Sequence, residues 1–229
     1  MINHKYKCIF VHIPKTAGSS IRRILPESEE PKFIGGHATA TNMYGFFRNN
    51  FPEKQKSIIV LGEKKWDEYF KFAFVRNPWD RFVSAYNFLK GGGNKNEESL
   101  TIKHDLMDKH SGFKEFVCNE VLEDSDVLNG ECPLPSGKYR VYHFKSQFEI
   151  ICNSKKDRLL INNIYNFEQL QHGVDDIFKK TGIPQKPLLH LKKSIKTKPY
   201  TEYYDDETRK IIAFKYKKDI EHFNYKFGD

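Results

Sequence analysis

The sequence predicts a three-layer α/β fold, with a central parallel sheet flanked by helices. Short apolar runs alternate with segments of helical spacing, the pattern of strands joined by crossover helices. Two of the strand-to-helix junctions, Ile13 to Ser20 and Phe74 to Ser84, carry small, hydroxyl-bearing or basic residues at the turn, where open α/β sheets bind their ligands. The 229 residues, 38% hydrophobic with 19 Phe and 12 Tyr, are enough for a core without disulfide or metal support. No internal repeat or low-complexity linker interrupts them, so residues 1–229 read as one domain.

The first strand is Cys8-Ile9-Phe10-Val11, apolar at consecutive positions as suits burial on both faces. Pro14 ends its ladder because it has no N–H to donate. The loop that follows carries Lys15, three hydroxyls and Gly18 before Ile21, Ile24 and Leu25 start a helical spacing. Backbone N–H groups and the positive end of a helix therefore face one place, and an anion is the natural occupant. A helix capped by its own Ser or Thr is the plainer reading, but capping has no need of the charge on Lys15. The usual nucleotide-triphosphate loop places Gly-Lys-Ser/Thr four residues after a first glycine. Here Lys15 precedes the glycine, so the loop is shorter and its lysine approaches phosphates from the strand side. No strand ends in a plain metal-binding Asp, with Asp67 and Asp80 left open, and transfer without a divalent metal is the expectation.

Lys71 to Val75 reads as the next strand, and Pro78 suits the first turn of the helix behind it. Trp79, Phe82, Val83, Tyr86 and Leu89 follow three- and four-residue steps, which marks a core stripe. Arg76 stands outside that stripe at the strand's carboxyl end and Ser84 lies two turns into the helix, so the pair is suited to a second phosphate. Taken alone, Arg76 reads more readily as a surface ion-pair partner; joined to the first loop, the phosphate reading is favoured. Gly91 to Glu98 reads as a loose loop, Gly112 to Leu122 as a helix, and Gly130 to Gly137 as a turn region. Leu159 to Tyr165 reads as a strand and Val174 to Thr181 as a helix stopped by Gly182 and Pro184. A last helix is expected from about Asp206 to Phe223, with Ile212, Tyr216, Ile220 and Phe223 on one face.

The net charge of +8 points to an anionic partner. Nucleic acid is disfavoured because no zinc spacing, helix-turn-helix signature or aromatic-glycine repeat accompanies the charge. Cys8, Cys118, Cys132 and Cys152 are scattered without metal or redox spacing, which suits a reducing compartment. Met1 to Lys7 is polar and leads straight into the first strand, leaving no room for a signal peptide or spanning helix in this stretch. A cytoplasmic protein is the expectation. Oligomeric state is not legible.

The two motifs resemble those of the carbohydrate sulfotransferases that use 3'-phosphoadenosine 5'-phosphosulfate (PAPS), especially the heparan 2-O- and chondroitin sulfotransferase group and its short bacterial relatives. His12 to Ser20 resembles the 5'-phosphosulfate loop, Phe74 to Tyr86 the 3'-phosphate motif, and Gly35-Gly36-His37 the glycine-histidine pair that follows the second strand. Looser echoes lie at Asn166-Phe167-Glu168 and from Tyr203 to Tyr225. The resemblance implies a nucleotide-kinase-like P-loop fold, PAPS as co-substrate with no metal required, and a carbohydrate hydroxyl as acceptor. It implies that Lys15 stabilises the bridging oxygen as the sulfuryl group leaves. Thr16, Ala17, Gly18, Ser19 and Ser20 would hold the 5'-phosphate, and Arg76 and Ser84 the 3'-phosphate. His37 would take the acceptor's proton, and Lys193 and Ser194 would close over the nucleotide.

One departure is Gly35, where some animal relatives carry a second histidine. Without the resemblance His37 would read as a loop histidine made permissive by Gly35 and Gly36. Tyr44, Phe46, Phe47 and Arg48 read either as an acceptor path or as core. Two other classes share features of the chain. A metal-dependent P-loop kinase would have the same scaffold but not the displaced lysine, and a silent binder of anionic glycans would have the basic surface but no use for His37.

Overall fold

The structure is a computed structural model that describes residues 1–26, 39–43, 66–121, 128, 134, 141–188 and 198–229. Its strands are β1 Ile2–Asn3, β2 Cys8–Phe10, β3 Phe70–Val75 and β4 Asn163–Asn166. Its helices are α1 Gly18–Ile24, α2 Pro78–Lys90, α3 Glu97–Ile102, α4 Phe113–Phe116, α5 Gln147–Ile151, α6 Leu170–Thr181, α7 Asp206–Lys215 and α8 Lys217–Phe223. The chain forms two compact units, Met1–Val75 with Gln147–Lys192, and Arg76–Ser146 with Lys193–Asp229.

The first unit holds a mixed sheet of order β1-β2-β3-β4 in which β2, β3 and β4 are parallel. Phe10 lies opposite Phe72, and Phe74 opposite Tyr165. Alternation along the strands sends Cys8, Phe10, Phe72 and Phe74 to one face, where they pack with Ile21 and Ile24 of α1 and with Val174 and Ile177 of α6. Ile9, Val11, Ala73 and Val75 alternate to the other face and are equally buried. The sheet is thus covered on both sides, as the continuous apolar runs require. Gly173 sets how close α6 comes, since a Cβ there would stand 2.8 Å from the Phe74 ring and 3.0 Å from Tyr165.

Two details of this unit differ from the sequence reading. The polar start of the chain supplies β1, an antiparallel edge strand with Ile2 opposite Ile9. Its pairing is fixed by the Met1 amine donating to the Phe10 carbonyl at 2.8 Å and by the Phe10 N–H returning to Met1. The strand expected from Leu159 begins only at Asn163. Leu159 forms an isolated antiparallel bridge with Cys152, and the Leu160 N–H donates to the Ile151 carbonyl, so these residues close the turn after α5.

The second unit is built round α2, a helix buried over most of its circumference. The stripe read from the sequence is core: Trp79, Phe82, Val83, Tyr86 and Leu89 are all at most 7% exposed. They pack with Phe116, Phe144, Ile212 and Tyr216. Of the stretch read as a loose loop, Gly91 to Asn96 is a hydrogen-bonded turn after α2, while Glu97 and Glu98 already belong to α3. The Gly93 N–H donates to the Phe88 carbonyl, the Asn94 N–H to Ser99 Oγ, and Asn96 caps α3. The helix expected over Gly112 to Leu122 is α4 continued by a π-helical turn, Val117–Val121. The last helix breaks at Tyr216, whose backbone leaves the helical region (φ −104, ψ 27) while its hydroxyl donates to the Phe144 carbonyl at 2.6 Å. Among the described residues no helix is long and apolar enough to cross a membrane. The turn expected over Gly130 to Gly137 lies, apart from Leu134, outside the described residues.

Candidate functional site

The first motif leaves the carboxyl end of β2, beside β3, where the Val11 N–H still donates to the Phe72 carbonyl. The chain then winds through two residues in the left-handed region, Lys15 (φ 70) and Ala17 (φ 62). Thr16, between them, is fully buried and donates its hydroxyl to the Ile13 carbonyl at 2.9 Å, which closes the loop. Alternation of hand along successive residues is the geometry that gathers backbone N–H groups into an anion-holding concavity. Ala17 is the N-cap of α1 and brings no side-chain acceptor; its backbone carbonyl accepts from the Ser20 and Ile21 N–H groups, and a side-chain cap on the N–H groups ahead of them is lacking. Ser19 is exposed, Ser20 is buried, and Lys15 is half-buried.

His12, given no role of its own in the sequence reading, explains Gly18. Its imidazole lies against the Gly18 Cα, so that a Cβ built there would stand 1.8 Å from Nε2. The ring also stacks on Phe10 at 5.9 Å. The signal was in the sequence as a histidine six residues before the glycine, but only the folded turn brings them together.

The second motif starts where β3 ends. Arg76 is 4% exposed, and its Nε and Nη2 both donate to Asp80 Oδ2, at 3.0 and 2.7 Å. The ion-pair reading of Arg76 therefore holds, although the pair is buried and not at the surface. Asp80 is in the first turn of α2, and Ser84, also 4% exposed, lies one turn further, about 6 Å along the axis. Asn77 caps the helix, accepting from the N–H groups of Trp79 and Asp80, and Pro78 takes the first helical position. Asp80, which the sequence left open as a metal ligand, is engaged in orienting the guanidinium. Its spacing of four from Arg76 was the readable sign.

Arg81 has a different function from its neighbour. It is 1% exposed and donates to the carbonyls of His143 and Lys145 at 3.1 and 2.7 Å, with its guanidinium 5.3 Å from the Tyr216 ring centre. It holds the 143–145 turn against the helix. Among the described residues there is no cluster of three or more His, Cys, Asp or Glu placed to hold a metal. His37, Lys193 and Ser194, together with Gly35, Gly36, Tyr44, Phe46, Phe47 and Arg48, lie outside the described residues.

A family model described as "Sulfotransferase family" matches residues 1–226. Among solved structures, a mouse sulfotransferase, SULT7A1, complexed with PAP is similar at 11% identity and a TM-score of 0.43, covering 92% of this chain and 83% of its own. No curated protein matches the chain.

Proposed function

Because the chain belongs to the sulfotransferase family, we propose that it moves a sulfuryl group from PAPS to a hydroxyl of a carbohydrate acceptor. The observation that carries this reading is the turn after β2: a lysine, two left-handed residues and a helix start capped only by alanine. Such a turn suits a phosphate or phosphosulfate, and its lysine stands ahead of the glycine and not behind it as in the metal-bound triphosphate loop.

In this reading the acceptor oxygen attacks sulfur in line with the leaving oxygen. A new S–O bond forms, the bond from sulfur to the 5'-phosphate oxygen breaks, and its electron pair stays on the phosphate. Lys15 neutralises the charge that develops there, while Thr16, Ala17 and Gly18 hold the 5'-phosphate through backbone N–H groups and Ser19 and Ser20 add hydroxyls. Arg76 and Ser84 hold the 3'-phosphate, Lys193 and Ser194 close over the nucleotide, and His37 receives the acceptor's proton. The reading takes residues 1–229 as one sulfotransferase domain, in keeping with a family match that runs over residues 1–226. Cytoplasmic placement rests on the scattered cysteines, of which Cys8 is a buried thiol inside β2.

The test is transfer of label from sulfur-labelled PAPS, with chelator present, to a panel of desulfated glycans beside simple phenols. Label on the glycans is expected, with turnover in His37→Ala lower by about a hundred- to ten-thousand-fold and nucleotide affinity kept. Labelled phenols with unlabelled glycans would reject the carbohydrate acceptor, and near-wild-type turnover in His37→Ala would reject the base.

A further inference from the structure

We propose that the segment Tyr225–Asp229 is a positioning strut for 3'-phosphate recognition, fixing the start of α2 so that Asp80 presents the Arg76 guanidinium in one orientation. This rests on the assignment of Arg76 to the 3'-phosphate.

Asn77 carries the coupling. It is fully buried and uses both ends of its amide. Oδ1 accepts from the N–H groups of Trp79 at 3.1 Å and Asp80 at 3.5 Å, which starts the helix, while Nδ2 donates to the Lys226 carbonyl at 2.8 Å. One side chain thus ties the turn bearing Arg76 and Asp80 to a segment 149 residues later.

Phe227 makes the second tie. Its ring meets Trp79, Tyr200 and Tyr204 edge-on at 5.6, 5.7 and 5.6 Å, with the Arg209 guanidinium 5.6 Å from its centre. Edge-to-face contacts of this kind add to simple burial. The cage is itself fastened to α2, because the Trp79 indole donates to the Arg209 carbonyl at 3.1 Å and the Tyr204 hydroxyl to the Trp79 carbonyl at 2.9 Å. The segment is held in shape by the Gly228 N–H on the Tyr200 hydroxyl and the Lys226 N–H on Asp229 Oδ2, both at 2.6 Å.

A capped helix needs only the acceptor half of Asn77. The donor half and the aromatic cage serve to locate the helix start, and with it the carboxylate that grips Arg76. Bidentate recognition depends on the fork being presented in a fixed plane, so loosening the strut degrades phosphate recognition before it degrades the fold.

The experiment is calorimetric titration of the full chain with 3'-phosphoadenosine 5'-phosphate (PAP) and with adenosine 5'-monophosphate, which lacks the 3'-phosphate. The variants are Asn77→Ser, which is neutral and still caps, Phe227→Ala, Phe227→Tyr and Arg76→Lys. The strut predicts that Asn77→Ser and Phe227→Ala each weaken PAP by about tenfold while the monophosphate changes less than about twofold, that the two losses do not add, and that Phe227→Tyr binds as wild type. Equal losses for both nucleotides, or no loss, alongside an Arg76→Lys variant that does lose PAP selectively, would overturn the strut and leave the Arg76 assignment standing. An Arg76→Lys variant with unchanged preference for PAP would overturn the assignment and the strut with it.

Discussion

A methyl group on Gly18 would land on the imidazole of His12. That ring is the outer end of a side chain that can turn away, so Gly18→Ala displaces His12 from the turn after β2 more than it disrupts the core. Overpacking of this kind costs about 1–3 kcal/mol, and the cost should shrink in a His12→Ala background, as residues in direct contact couple. Urea denaturation of the four proteins of that cycle measures it, and equal costs in both backgrounds would contradict the contact. Ala17 gives the opposite sign. A non-glycine residue in the left-handed region is strained by about 1–2 kcal/mol, so Ala17→Gly should raise the melting temperature by about 2–4 °C, less whatever the freer unfolded chain takes back. A fall in melting temperature would show that the turn is not strained. His12, Lys15 and the small residues were all readable as a motif. What was not readable was which of them act on each other, because His12 meets Gly18 only after the chain has doubled back through two left-handed residues.

Helix α2 shows how far periodicity reaches. The steps from Trp79 to Leu89 identify its core face, and Pro78 its first turn, from sequence alone. Periodicity misses the polar residues that the same helix buries, since Asp80, Arg81 and Ser84 would normally mark a solvated face. Each is buried, and two of them have partners from distant or adjacent turns that the pattern does not contain. Arg81 gives the clearest consequence. Replacing it with Met would leave the carbonyls of His143 and Lys145 without these donors, at a cost of about 2–5 kcal/mol. Arg81→Lys should recover only part of this, because one ammonium cannot reproduce the planar fork. The urea midpoint reads both, and a midpoint unchanged in Arg81→Met would show that the 143–145 turn stands without it. The break of the last helix at Tyr216 was hidden for a similar reason. Its spacing fits a continuous helix, and the hydroxyl bond to the Phe144 carbonyl that accompanies the departure is a long-range contact. His37 and the Lys193-Ser194 pair rest on the family motif and remain part of the proposal.

At the scale of the whole molecule, buried weak acids set a limit on stability at high pH. Burial pushes the Cys8 thiol from 9.0 up to about 11, and raises the hydroxyls of Tyr216, Tyr204, Tyr165 and Tyr86 above their usual 10.0. For Tyr165 the carboxylate of Asp176, which accepts its hydroxyl at 2.6 Å, adds to the effect. Each group stays protonated in the folded chain at pH values where the unfolded chain has released its proton. The unfolded state therefore binds fewer protons, and stability falls as pH rises from about 9, with the Cys8 contribution gone by about 11. The urea midpoint should be lower at about pH 10.5 than at about pH 8, and a flat profile would contradict the burial of these groups. The net charge of +8 acts in the same molecule on association, so nucleotide binding should weaken as salt is raised.

The proposed function requires the chain to bind a 3',5'-substituted adenosine nucleotide without the help of a metal. Calorimetric titration of the wild-type chain with PAP in the presence of chelator, beside ATP with magnesium, tests it most directly. Metal-independent binding of PAP, tighter than that of magnesium ATP, is the predicted result; preference for magnesium ATP with no binding of PAP would contradict the account and turn the same scaffold toward a kinase.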